Sequence, residues 1–75
     1  MKTITCKQGR KWRVDHVIRG PEARRVQLAP GWVQINLSPP DSATQCHYGI
    51  SVPARNIDNI LEGRVRMTVV TVNEN

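Results

Sequence analysis

Apolar and polar residues alternate with a period of two over most of the chain, the mark of strands that set one face on a core and the other in solvent. Thr3-Ile4-Thr5-Cys6 opens the pattern, with Ile4 and Cys6 on one side. A turn over residues 7–10, centred on Gly9, leads into a clean alternation over residues 11–19. There Trp12, Val14, His16 and Ile18 fall inward, while Lys11, Arg13, Asp15, Val17 and Arg19 fall outward. Gly20-Pro21-Glu22 reads as a turn. Residues 23–29 read as the next strand, Arg24, Val26 and Leu28 alternating with Arg25 and Gln27. Beyond Pro30-Gly31, residues 32–37 set Val33, Ile35 and Leu37 inward and Trp32, Gln34 and Asn36 outward.

The stretch 38–45, SPPDSATQ, is irregular, because Pro39-Pro40 suits neither a helix nor a central strand. Residues 46–52 form a further strand with Tyr48, Ile50 and Val52 inward. A short helical turn opens over residues 51–54; Ile57, Ile60 and Leu61 stand at helical spacing, and Gly63 is the stop signal. Residues 64–72 read as the last strand, with Val65, Met67 and Val69 alternating against Arg66 and Thr68. Val70 and Val72 make its end apolar on both faces, and the tail 73–75 is expected to fray.

This order predicts a mainly β fold: a small SH3-like or Sm-like barrel of five to six antiparallel strands, with one short helix before the last. The alternative is an open antiparallel α+β sheet with one helix packed across it. Seventy-five residues make one domain, 1–75, with a thin core. A deep, walled pocket is hard to build in that volume, which favours a binding module over an enzyme. Self-association would add buried area.

Charge sharpens the picture. Residues 1–25 hold eight Lys and Arg against two acids, a net +6, and residues 26–75 hold three against four, a net −1, within a chain of +5 overall. Seven of the eleven basic residues fall in the stretch 7–25. Positive charge so concentrated attracts phosphate chains and speeds their encounter; the plainer reading is a solvated basic face that confers solubility. No stretch is long and apolar enough to span a membrane, and the first residues, MKTITCKQ, lack the apolar run of a signal peptide, so a cytoplasmic location without a membrane partner is expected. The two cysteines, Cys6 and Cys46, are expected to be reduced and buried.

If the second, third and fourth strands pair as a meander, Lys11, Arg13, Arg19, Arg25 and Gln27 join Trp32, Gln34 and Asn36 on one surface, with Arg24 flanking it. The cations would neutralise phosphates, Trp32 would stack on a base, and Gln34 and Asn36 would reach base edges. Trp12, alternating with Val14 and Ile18, belongs to the core instead. Other chemistry has little support. Cys6, His16, Cys46 and His47 lack metal-ligand spacing. Asp15-His16 and Cys46-His47 are neighbours that diverge across a strand, which disfavours a catalytic pair. Asp58 and Glu62, four apart, make an ordinary solvated helix face. No cofactor is expected.

Two function classes follow. The first is a non-enzymatic module that binds DNA or RNA. The second is an accessory protein of phage or mobile-element type that covers an acidic protein surface or sequesters a nucleotide. Outward Val17, Val70 and Val72 would then supply an edge for another chain, which also allows a homodimer.

Overall fold

The computed structural model describes residues 2–46 and 48–69. Its frame is a four-stranded antiparallel meander in the order β1-β2-β3-β4, formed by Thr3–Thr5, Lys11–Ile18, Trp32–Ser38 and Tyr48–Pro53. Two short helices complete it: α1 over Pro21–Arg25 and α2 over Ile57–Leu61, the latter entered through a 3-10 turn at Ala54–Asn56. The architecture is the open sheet, not the closed barrel of five to six strands. Closure would need a strand from residues 64–72, and Arg64 to Val69 hold no strand. They run past the β1–β2 turn, held by a hydrogen bond from Lys7 N to Met67 O at 2.9 Å and one from Gln8 Nε2 to Val69 O at 3.3 Å. Val69 is nevertheless buried. Val70 and Val72 lie outside the described residues.

One face of the sheet carries the core. Ile4, Trp12, Val33, Ile35, Leu37 and Val52 meet Ile57 and Ile60 of α2, with Cys6 and Val69 filling the rim. Trp12 is fully enclosed and meets Tyr48 edge-on, ring centroids 5.3 Å apart. The Ile57, Ile60 and Leu61 spacing is realised in α2. Gly63, at φ +80°, closes it: Gly63 N donates to Ile60 O and Arg64 N to Asn59 O. This double bond pattern satisfies the last carbonyls of the helix.

Residues 23–29 are not a strand. Pro21 occupies the first helical position, Glu22 sits in the first turn and Arg24 and Arg25 in the last, all favourable to the helix dipole. The helix unwinds where Gln27 takes φ 64° and Leu28 N returns to Ala23 O at 3.0 Å. Ala23 is buried, and α1 lies against β3.

The alternation along β2 also breaks. Val14 pairs with Leu37 and His16 with Asn36, so Asp15 is an extra residue, a β-bulge. Before it, Trp12 and Val14 face the core. After it the parity reverses: Val17 opposes the buried Ile35 and packs on the core, while His16 and Ile18 oppose Asn36 and Gln34 on the outer face, where Ile18 is nevertheless buried, as its alternation implies. His16 is therefore exposed, with its Nε2 3.0 Å from Glu22 carboxylate oxygens, rather than inward.

The bulged residue holds its carboxylate among donors. Asp15, its side chain 4% exposed, accepts from Arg13 Nε at 2.7 Å, from Ser38 Oγ at 2.5 Å and from Cys46 N at 2.7 Å. Arg13 in turn donates to Ser42 O at 2.8 Å and Thr44 O at 2.7 Å. The Pro-rich loop between β3 and β4 is thus strapped to the outer face of the sheet. Cys46, at the end of this strap with φ 55°, is exposed rather than buried, and both cysteines are free.

The bond from Ser38, then that from Arg13, then the Cys46 amide hold the Asp15 carboxyl at about 2 against its ordinary 3.8. A carboxyl depressed in the folded state contributes stability that is complete above about pH 4 and lost as pH falls toward 2. Urea midpoints measured across that range should fall for the wild type. For Asp15→Asn they should be low already at neutral pH and change little below it. Ser38→Ala should cost about 1.5–3 kcal/mol, the range for a hydrogen bond to a charged group, and less than Asp15→Asn. Gly63→Ala, with open space around the added methyl but φ +80°, should cost about 1 kcal/mol from backbone strain alone, read as a shifted urea midpoint with an unchanged slope.

Candidate nucleic-acid interface

The outer face of the sheet is polar along its middle. Gln34 Nε2 donates to Asn36 Oδ1 at 2.8 Å, and the two amides lie over Gly49, the residue paired with Asn36. A Cβ at Gly49 would come 2.7 Å from Gln34 Nε2, so this glycine is the room the amide pair needs.

The basic stretch 7–25 does not form one surface; the fold divides it. β2 is eight residues long, so its ends stand roughly 23 Å apart. Lys7, Arg10 and Lys11 stay with the β1–β2 turn at one end. Arg10 lies over the Trp12 ring, its guanidinium carbon 4.6 Å from the centroid. Cys6 is buried in the same turn. Burial pushes its thiol up, but the Trp12 indole and backbone N–H groups outweigh that and hold it below its ordinary value. Trp12 Nε1 is buried without a hydrogen-bond partner among the described residues. A depression of about 380 Å³ beside β1 is lined by Lys2, Glu62 and Arg66, charges of both signs with no aromatic ring.

Arg13 was expected on the outward surface and is instead 9% exposed, its guanidinium engaged by Asp15, Ser42 and Thr44. It ties down a loop. Arg19, at the far end of β2, is exposed, with Nη1 3.9 Å from Asp58 Oδ1 of α2, toward the core side of the sheet.

At that far end two of the remaining candidates meet. Arg24 and Trp32 line one depression of about 360 Å³ between α1 and the start of β3, with Ala23, Ala29, Pro30 and Gly31 among its walls. Trp32 is 43% exposed and Val26 50%. Arg25 and Gln27 are exposed on and just after α1, and Gln34 follows Trp32 on the outer face. One residue was not anticipated: Arg55. Ala54 N donates to Gly31 O at 2.7 Å, which brings the 3-10 turn to the same depression and Arg55, exposed, next along the chain. Nothing local in the sequence marks it, since residues 26–75 are net acidic and only the β3–β4 pairing carries Arg55 to this end. The acids nearby are engaged: Glu22 with His16 and Asp58 with Arg19.

Cys6 lies in the core while His16 and Cys46 are exposed, and among the described residues no three His, Cys, Asp or Glu side chains are placed to hold a metal ion. His47 lies outside the described residues. Glu62 pairs with Arg64 rather than with Asp58. Among the described residues no helix is long and apolar enough to cross a membrane. No protein-family model matches the chain, and no curated protein or solved structure matches it.

Proposed function

We propose that the protein is a non-enzymatic nucleic-acid-binding module, and that its binding end is the one where α1, the start of β3 and the 3-10 turn converge. The observation that carries this reading is the exposed Trp32 ring sharing a depression with Arg24. Arg25 and Arg55 stand one residue along the chain from residues that line it. The arginines supply sequence-independent attraction for phosphates, and the indole supplies a face on which a base can stack. Gln34 and Gln27 flank the site with amide groups. Lys7, Arg10 and Lys11, at the opposite end, add steering charge rather than contacts in the same footprint.

A second reading has one observation in its favour. β4, YGISVP, carries no charged residue and pairs on one side only, with β3, in the described sheet. Edges of this kind accept a strand from another chain, which suits a protein partner or a second copy. A strict monomer in sedimentation velocity would remove the self-pairing form of it.

Binding of a labelled single-stranded oligonucleotide, followed by anisotropy over a salt series, tests the first reading. The logarithm of affinity should fall linearly with the logarithm of salt. Replacing Arg24, Arg25 and Arg55 with Gln should flatten the slope by about 0.7 for each phosphate no longer neutralised. The triple replacement of Lys7, Arg10 and Lys11 should lower the association rate more than the slope. No binding at about 50 mM salt, or a flat slope, would sink the proposal.

A further inference from the structure

We infer that the depression beside Trp32 receives a single unpaired nucleobase, so that the strand recognised is single-stranded rather than duplex. This rests on the nucleic-acid reading above and goes further, because a basic end alone would serve either form.

Size comes first. At about 360 Å³ the depression lies near the lower end of ligand clefts, which run from roughly 300 to 1,000 Å³. It has room for one ring system. Its walls decide the chemistry. Ala23, Ala29, Pro30 and Gly31 offer carbon and backbone with no polar side chain, and Trp32 adds a flat aromatic surface. The backbone carbonyls of Ala23, Ala29 and Gly31 already accept from Leu28 N, Trp32 N and Ala54 N. These walls offer an occupant apolar contact on its faces, and Arg24 places one guanidinium at the lining. A nucleobase joined to a phosphate has that form: an apolar π-face with an anion a few bonds away. Bases within a duplex show only their edges and cannot enter such a site without leaving the stack.

The test compares three labelled probes at one salt concentration: a thymidine decamer, a decamer of the same charge made of abasic residues, and a decamer duplex. The thymidine decamer should bind at least about ten-fold tighter than the abasic strand, within what stacking of one base on an aromatic side chain supplies. It should also outbind the duplex. Ala29→Leu, at an exposed position on the wall, fills the depression and should bring the thymidine decamer down to the abasic level while leaving abasic binding unchanged. Trp32→Leu, which keeps an apolar side chain without the flat ring, should do the same. Equal affinity for the thymidine and abasic strands, or preference for the duplex, overturns the single-base site and leaves the basic end as a phosphate binder. Failure of all three probes to bind overturns both.

Discussion

A carboxylate surrounded by donors governs how this chain is put together. Asp15 takes hydrogen bonds from Arg13, Ser38 and the Cys46 amide. To remain on the outer face beside all three, it must occupy an extra place in β2. That place is the bulge, and the bulge inverts every side chain after it. Val17 thereby enters the core, and His16 and Ile18 are delivered to the outer face, where His16 meets Glu22 of α1. The same carboxylate pins the 39–46 loop through Arg13. Core composition, the seating of α1 and the course of the Pro-rich loop thus share one origin, which is the need to give a charge under a loop enough partners to offset its lost hydration.

The distribution of positive charge follows from that arrangement. One arginine is consumed internally, and Lys7, Arg10 and Lys11 are parted from Arg24, Arg25 and Arg55 toward the two ends of the longest strand. At the turn end, cations surround a sealed core corner with no accessible aromatic surface. At the helix end they surround an exposed indole and a small apolar hollow. The two ends share a sign and differ in what accompanies it, so overall charge is a poor guide to where a ligand would sit. The site is drawn from three separate segments, α1, the start of β3 and the turn after β4, and pairing alone assembles it.

Much of the frame was legible from alternation. The β1, β3 and β4 patterns, the enclosure of Trp12 and the exposure of Trp32 follow from period two, because one face of an antiparallel sheet is wet. The Ile57-Ile60-Leu61 spacing with Gly63 behind it pointed to α2. Three features were hidden for physical reasons. The bulge leaves no mark in composition, since Asp15 in a strand looks like any outward polar residue until its donors, 23 and 31 positions away, are known. α1 was obscured because five helical residues hold too few apolar positions to show a period, while Pro21, Glu22 and the Arg pair carried the signal instead. The barrel did not close because alternation in residues 64–69 shows which side chains are buried, not whether the backbone finds a neighbouring strand. At the site, Arg24, Arg25 and Trp32 were readable as types, whereas Arg13's withdrawal and Arg55's arrival depend on contacts far apart in sequence.

The contrast between the two tryptophans has a further consequence. Trp12 is locked in the core against Tyr48, and Trp32 stands at the rim of the hollow with 43% of its surface in water. The chain therefore carries two indole chromophores in opposite surroundings. Emission from the enclosed one is tied to the integrity of the fold and lies toward the blue. Emission from the open one lies toward the red and is accessible to an external quencher. Unfolding and occupancy of the hollow should accordingly leave distinguishable spectral traces in the same unlabelled molecule.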